Sequence, residues 1–398
     1  MLNVAMKMLK GDRAKYVGLL FGITFTSFLV TFAGSYFCGF MTRGFALISE
    51  NPAADVWVMD PAVESTELTT NLPDSALPRV RSVEGVLSAV PLALATADAR
   101  FPNGRFQSFQ LICVDDATLS GLPSLQGGVS QTMLRTPDAV VVDPGGTEGK
   151  LETPTKIVDQ WPYGQPHLDV PTRELAAGDE LLVNDHRVIV RGRSNALPRY
   201  PPRPLMYTTL SNATRILLPE RHLLTFVLAK AAPGVSPREL AARIQAQTGL
   251  RARFSDDFIS DTVYWFLVNS EDVGDMASMI TIAMFVGFGV TGVMLYMFTR
   301  EALKQYAVLK TMGATSRMLL SMIFVQTGLC ALLGTGLGLG LCAIVGQIAI
   351  WEFDYPFRMM WFTPVVGALS VLLVSLVAAM ISARPVMKLE PGVVFGGR

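Results

Sequence analysis

The nearest approach to a phosphate-binding motif in this sequence is the run Gly-Gly-Thr-Glu-Gly-Lys at residues 145–150. A Walker-type loop has the pattern G-x-x-x-x-G-K-[ST], in which backbone amides surround the phosphates and a hydroxyl binds magnesium. Pro144 stands where the first glycine belongs, and Leu151 stands where the Ser or Thr belongs. The sequence therefore predicts no ATP site in this chain.

Other arrangements that carry chemistry do not occur. His167, His186 and His222 are scattered, and none has another histidine four residues away or a Cys-x-x-Cys nearby, as zinc sites often do. The G-x-S-x-G pattern of a nucleophile elbow is missing as well. We therefore expect no metal site, no cofactor and no catalytic site, and hence a protein that is not an enzyme.

The segment 300–317 is basic and predicts an amphipathic helix that ends at Gly313. One side of this helix carries four residues: Leu303, Tyr306, Leu309 and Lys310. Val308 and Met312 form a separate i,i+4 pair. Two interpretations are equally open from the spacing alone. The helix lies on the lipid surface, or it docks into a groove of a cytosolic partner.

The chain that must position this segment has 398 residues, of which 50% are hydrophobic and 17% are charged, and its net charge is zero. Ordinary soluble proteins contain about 25% charged residues. Zero net charge disfavours nucleic acid as a partner, and the composition excludes disorder, collagen and coiled coil. A membrane protein with a sizeable water-soluble part is the class that remains.

Four stretches contain no Asp, Glu, Lys, Arg or His and are long enough for a bilayer, which needs roughly 20 apolar residues. They are residues 17–42, 276–299, 318–351 and 359–383. The first is longer than the apolar region of a signal peptide, about 7–15 residues, so we expect it to be retained. Ion-driven transport is disfavoured, because such transporters place ionisable groups inside the membrane.

Small residues recur at every fourth position of the third stretch, as two pairs: Gly334 with Gly338, and Gly336 with Gly340. This spacing lets helices approach closely, either within one chain or between two copies. The alternative is that these glycines make an over-long helix flexible.

Flanking charges predict the orientation, because Lys and Arg stay on the cytoplasmic side. Segments 1–16, 300–317 and 384–398 carry four, four and three basic residues, against one acidic residue each. We therefore expect both termini and the short loop in the cytoplasm, with residues 43–275 outside. Cys113 is the only cysteine in that outer domain, so it forms no internal disulfide there, and we expect an inert core residue.

The outer domain is predicted to be mixed α/β. Its N-terminal part contains a strand at 55–59, a helix at 74–82, and strand-rich runs at 86–100 and 105–114. Its C-terminal part contains a strand at 225–229, a helix capped by Ser236 with Pro237 and Glu239 in a capping box, and a strand at 251–254. Two such units suggest a split βαβ fold, with an inserted β-rich subdomain at about 126–220.

Two Pro-rich, aromatic loops interrupt the insertion, at residues 159–171 and 195–204. The simpler interpretation is a pair of ordinary surface loops. The alternative is contact with a ligand or a partner.

The segment 300–317 also resembles the signature R-x-x-E-x-x-x-L-K-A-[LM]-G-A-[ST] that follows the second span in FtsX/MacB-type ABC transporter permeases. It departs from the signature at the acidic position and at Gln305-Tyr306. The resemblance implies an ATPase-coupling helix formed by Arg300, Glu301, Leu303, Lys304, Tyr306, Val308, Leu309, Lys310, Met312, Gly313, Ala314 and Arg317.

The layout of spans and outer domain extends the resemblance over essentially the whole chain. Residues 54–61, 83–86, 114–117 and 207–209 are similar to the DevC-like branch. The resemblance implies a homodimeric permease in the bacterial inner membrane that binds two copies of an ABC ATPase, which holds ATP and magnesium. Further implied partners are an HlyD-type membrane fusion protein and a TolC-type outer-membrane channel.

The function implied by this branch is export of a lipid-like or amphipathic substrate, driven by ATPase motion that the permease transmits to its periplasmic domain (mechanotransmission). The cell-division branch of the family implies the alternative. There, a signalling or scaffold protein activates an outer partner and transports nothing.

Overall fold

The computed structural model describes residues 13–155, 167–217 and 224–387. It divides into a membrane unit, residues up to Phe40 together with those from Ser270 onward, and an outer unit, Met41–Asn269. Residues 1–12 and 388–398 of the predicted cytoplasmic ends lie outside the described residues. So do 156–166, which covers much of the first Pro-rich loop, and 218–223, which includes His222 and the predicted end of the insertion.

The described residues contain ten α-helices and eleven strands. In chain order the helices are α1 (Arg13–Gly44), α2 (Ala46–Ser49), α3 (Ala76–Arg81), α4 (Leu210–Ile216), α5 (Pro237–Thr248), α6 (Ser255–Asn269), α7 (Glu271–Glu301), α8 (Leu303–Thr311), α9 (Ser316–Phe353) and α10 (Phe362–Met387). The strands are β1 (Val56–Met59), β2 (Val86–Arg100), β3 (Phe106–Val114), β4 (Ala139–Asp143), β5 (Glu152–Pro154), β6 (Thr172–Glu174), β7 (Glu180–Val183), β8 (His186–Arg193), β9 (Leu205–Thr209), β10 (Phe226–Ala231) and β11 (Arg251–Phe254).

Four of these helices, α1, α7, α9 and α10, are long and apolar enough to cross a membrane. The longest, α9, has 38 residues, which corresponds to about 57 Å at 1.5 Å per residue. A bilayer core is about 30 Å thick, so α9 is longer than one crossing requires. The cluster at the centre of the membrane unit includes Leu19, Ile23, Leu295 and Tyr306, all fully or almost fully buried.

The main sheet of the outer unit has the strand order β11-β1-β10-β2-β3-β9-β4-β8-β7. Its first four strands form two βαβ units, β1-α3-β2 and β10-α5-β11, interleaved so that β10 lies antiparallel between β1 and β2. This is the predicted split βαβ arrangement. The predicted fold class, four membrane helices with a large mixed α/β domain, is therefore confirmed.

Four of the inserted strands, β4, β7, β8 and β9, continue this sheet, whereas β5 and β6 pair with each other in a separate two-stranded sheet. Strand β9 pairs with β3 in parallel, and β7 pairs with the far end of β2 at Ala99↔Val183. These pairings close β2, β3, β9, β4, β8 and β7 into a six-stranded barrel. Closure is possible because β2 has 15 residues, long enough to pair with β10 along its first half and with β7 at its end.

The barrel has an apolar interior that includes Phe101, Phe109, Leu111 and Cys113. Burial raises the pKa of Cys113 to about 12, so its thiol stays protonated and unreactive at neutral pH. The helix α5 begins at Ser236 with Pro237 as its first residue, but the Ser236 side chain makes no capping bond. Glu239 pairs instead with Arg243 at 3.0 Å, so the predicted capping box does not form.

Candidate functional site

The segment that resembles the coupling helix is a short helix, α8, separated from α7 by Ala302. Its C-terminal end is closed by Gly313, whose φ of +93° is strained for any residue with a Cβ. The Gly313 N–H donates to Lys310 O at 3.1 Å, and the Ala314 N–H donates to Leu309 O at 3.0 Å. This is a Schellman motif, and it places the end of the helix at the predicted glycine.

One side of α8 belongs to the core of the membrane unit. Tyr306 and Ala307 are buried, and Leu303 and Leu309 pack partly buried against the central cluster. The Tyr306 hydroxyl donates to Oε1 of the buried Gln326, in α9, at 3.2 Å. The side predicted from Leu303, Tyr306 and Leu309 is therefore an anchoring side, and half-buried Lys310 lies next to it.

The opposite side of α8 is exposed and carries Lys304, Val308, Thr311 and Met312, which we call the docking face. The exposed fractions of Val308 and Met312 are 43% and 71%. The spacing i, i+4, i+7, i+8 places these four side chains on one helical face. Sequence reasoning found Lys304, Val308 and Met312 but missed Thr311, which the spacing from Lys304 could have revealed.

Cations flank the docking face. Arg300, at the end of α7, places its guanidinium 5.2 Å from the ring centre of Tyr296, a distance at which cation and ring attract. Arg317 is exposed in the first turn of α9, which Thr315 caps by accepting the Met318 N–H. The last two of the twelve predicted positions are Glu301, which is exposed, and Ala314, which is partly buried.

The four glycines of α9 that the sequence predicts as packing positions divide into two pairs with different surroundings. A Cβ at Gly334 would lie 2.7 Å from Ile23 Cγ2, and one at Gly338 would lie 2.5 Å from Ser27 Cβ, so both glycines pack against α1. Nothing lies within 4 Å of a Cβ at Gly336 or Gly340. Close approach within the chain therefore uses the first pair, and the second pair is open.

The run at residues 145–150 serves the structure of the outer unit. The Gly145 N–H donates to Asp143 Oδ1 at 2.9 Å, and the Gly145 carbonyl accepts the Arg199 N–H at 3.1 Å. A Cβ at Gly145 would lie 1.9 Å from Arg203 O. Glycine is thus needed for a close backbone approach, and this amide is already used inside the protein.

No group of His, Cys, Asp and Glu suited to a metal ion occurs in the part of the chain that the structure describes. A cavity of about 450 Å³ lies in the outer unit, beside the barrel, and is lined among others by Arg100, Phe101, Asp179 and Leu182. Its three arginines face two carboxylates, since Arg173 pairs with Asp179 and Arg187 with Glu180.

Comparison with known proteins gives one family and several structures. The family model described as FtsX-like permease C-terminal matches residues 277–391. The extracellular domain of the noncanonic ABC-type transporter YknZ from Gram-positive bacteria is 14% identical, with 50% of this chain and 98% of that chain covered and a TM-score of 0.33. The periplasmic region of MacB from Actinobacillus actinomycetemcomitans is 13% identical, with 55% and 94% covered and a TM-score of 0.35. No curated protein matches.

Proposed function

We propose that this chain, which is a permease of the FtsX/MacB type, is the membrane subunit on which a separate ABC ATPase acts through α8. Permeases of this family are typically non-catalytic membrane components with an ATPase partner. The observation that carries the proposal is the two-sidedness of α8. Its anchoring side is fixed to the membrane unit, while its docking face is free for a partner.

The docking face suits a protein groove better than a lipid surface. A helix that lies on lipid needs a broad apolar face, but the apolar side of α8 is occupied by the core of the membrane unit. The exposed residues of α8 include an apolar pair, Val308 and Met312, beside Lys304. An apolar anchor with a flanking charge is the usual pattern of a helix that docks into a groove.

The chain is an inner-membrane protein, and we propose that α8 and both termini are cytoplasmic. ATP and magnesium would then be bound by two ATPase copies on a homodimer, and this chain would hold no cofactor. The DevC-like motifs and the large outer unit favour export of a lipid-like or amphipathic substrate with an HlyD-type fusion protein and a TolC-type channel. Signalling to an outer partner, as in cell division, is the second candidate.

The docking face can be tested by replacing its apolar pair. We expect Val308→Asp with Met312→Asp to abolish recovery of the ATPase with the tagged, detergent-extracted permease, because a carboxylate in an apolar groove has no partner. Leu87→Asp, at a residue 57% exposed in the outer unit, is the matched control and should leave recovery unchanged. Undiminished ATPase recovery with the double variant would contradict the proposal.

Orientation has its own test, since all four native cysteines are buried. A cysteine at exposed Ser236 should react with an impermeant reagent in intact spheroplasts, whereas one at exposed Thr311 should react only after lysis. The reverse pattern would overturn the orientation.

Proteins recovered with the wild-type permease separate the two candidate functions. A membrane fusion protein supports export. A cell-wall enzyme supports signalling.

A further inference from the structure

The loop at residues 195–204, between the barrel strands β8 and β9, contacts segments outside the barrel, and we call it the clamp loop. Its Arg199 forms an ion pair with Glu50, which directly follows α2. The Glu50 carboxylate also accepts the Leu197 N–H and, at 3.4 Å, the hydroxyl of Tyr207. One carboxylate next to α2 thus holds the barrel through three donors.

Burial distinguishes this ion pair from the others in the outer unit. The side chains of Arg199 and Glu50 are 5% and 7% exposed, whereas those of Arg187 and Glu180 are 62% and 49% exposed. Burying two charges costs much of what their attraction returns, so such a pair is a weak source of stability and a strong source of geometric specificity. Within the described residues, Arg199 Nε and Nη1 have no hydrogen-bond partner, which fits a positioning role better than a stabilising one.

A second line of contacts runs beside the ion pair. Tyr200 of the clamp loop meets the ring of Phe266, in α6, edge-on at 6.1 Å. A Cβ at Gly44, the last residue of α1, would lie 2.7 Å from Phe266 Cε2. Arg203 pairs with Glu67, and the neighbouring Thr66 donates its hydroxyl hydrogen to Gly44 O at 3.1 Å. The clamp loop is therefore fastened to groups that touch the end of α1.

The barrel is also joined to the split βαβ sheet through the shared strand β2, and its Leu205 and Tyr207 pack in one buried apolar cluster with Trp57 and Phe226. Apolar packing is not directional, so it fixes the angle between the barrel and the sheet only weakly, whereas a buried ion pair requires one geometry. We propose that the clamp loop, held by Arg199 and Glu50, makes the barrel follow the end of α1, so that Arg199 is a positioning residue for motion delivered along that helix. The source of that motion rests on the proposed function.

The test measures the position of the barrel relative to the split βαβ sheet in the full chain. Spin labels at Thr214→Cys, exposed on α4 beside the barrel, and at Gln247→Cys, exposed on α5, report this distance. We expect one narrow distance distribution with the native pair, unchanged when ATP and vanadate trap the complex with its ATPase. With Arg199→Met we expect a second population in the distance distribution, because one buried charge is left unpaired. The ratio of molecules with the barrel in its native position to molecules with a displaced barrel should change by about ten-fold or more.

The double variant Glu50→Gln with Arg199→Met separates positioning from stability. It leaves no buried charge unpaired, so its unfolding temperature should recover toward the wild-type value while the second distance population remains. Arg199→Lys, which keeps the charge, should largely restore the narrow distribution. Arg187→Met, which breaks the exposed pair with Glu180, is the matched control and should resemble the wild type.

A wild-type distance distribution in both Arg199→Met and the double variant would overturn the proposal. So would an equal second population in Arg187→Met, because the effect would then not belong to the clamp loop. Recovery of the ATPase should be unchanged in all these variants. Loss of ATPase binding would test the proposed docking face instead, so each of the two proposals can be contradicted without affecting the other.

Discussion

The membrane unit and the outer unit bury polar groups in different ways. Among the described residues, every buried polar side chain of the membrane unit is neutral, such as Thr26, whose Oγ1 lies 3.2 Å from both Gly287 O and Thr291 Oγ1. The outer unit buries Asp143, Arg199 and the side chain of Glu50. A charged group is energetically costly in hydrocarbon. Contacts between helices of the membrane unit therefore depend on complementary shape, which we call shape matching. Contacts between distant segments of the outer unit depend on paired charges, which we call charge matching.

Shape matching predicts the largest effect, at the glycines of α9. We expect Gly338→Leu to destabilise the membrane unit by about 3 kcal/mol or more, because the new side chain would force α9 away from Ser27 and Thr24 O, at 2.5 and 2.7 Å from a Cβ. Gly340→Leu meets nothing within 4 Å and should change stability by less than about 0.5 kcal/mol. Thermal unfolding in detergent measures both.

Equal losses for the two variants would contradict the idea that only one face of α9 is matched to α1. A lower oligomer mass for Gly340→Leu at unchanged unfolding temperature would instead place the open pair, Gly336 and Gly340, against a second copy of the chain.

Charge matching predicts the next effect, at Asp143. Its carboxylate is 3% exposed and accepts the Gly145 N–H at 2.9 Å, the Ser194 hydroxyl at 2.7 Å and the Ala196 N–H at 2.8 Å. In Asp143→Asn, the side-chain NH2 group would replace one carboxylate oxygen and would face hydrogen-bond donors. We therefore expect the free energy of unfolding to fall by about 2–3 kcal/mol. Urea unfolding would measure it. Exposed Asp185→Asn is the control, and a similar loss there would contradict the assignment.

A smaller effect is expected where a neutral hydrogen bond joins α8 to α9. Tyr306→Phe removes the hydroxyl that donates to Gln326 Oε1 at 3.2 Å, which should cost about 1 kcal/mol. Tyr296→Phe removes a hydroxyl from a residue 38% exposed and should be neutral. ATPase recovery should be retained in both variants, since neither residue lies on the docking face. Identical unfolding temperatures for the two would mean that the bond to Gln326 contributes nothing.

The comparison also explains what the sequence could predict. Local patterns were sufficient for the spans, since each is a charge-free run, and for the end of α8 at Gly313, where glycine alone suits the left-handed backbone. The turn between β7 and β8 is equally local, because Asn184 and Asp185 both take the positive φ that Asn and Asp tolerate. These features depend on residues within a few positions of one another.

Long-range pairings left no such pattern. The barrel closes through Ala99 and Val183, and the clamp loop depends on Glu50 and Arg199, so each contact joins residues far apart in the sequence. On the sequence alone, the clamp loop could only be described as a surface loop or as a contact with a ligand or a partner. The side of α8 that remains exposed was also ambiguous, because Leu303, Tyr306 and Leu309 suit a groove and a core equally.

The smallest predicted effects come from pH, and they have opposite signs at two carboxylates of the outer unit. For Asp261, burial alone would raise the pKa, but hydrogen bonds from Arg253 and Arg251 outweigh it and lower the pKa below the ordinary value of 3.8. The stability from this group is therefore present above pH 3.8 and is lost as the pH falls through the lowered native pKa.

For Glu50, burial raises the pKa above the ordinary value of 4.5, because the charge of Arg199 and the bond from Leu197 only partly offset it and Asp143 adds to it. Its contribution is therefore present below pH 4.5 and is lost as the pH rises through the raised native pKa. Urea unfolding at a series of pH values should show the wild type gaining stability over Asp261→Asn as the pH rises, and losing stability relative to Glu50→Gln. Slopes of the same sign would mean that Arg199 compensates the burial of Glu50 in full, and the clamp would then stabilise the fold as an ordinary ion pair does.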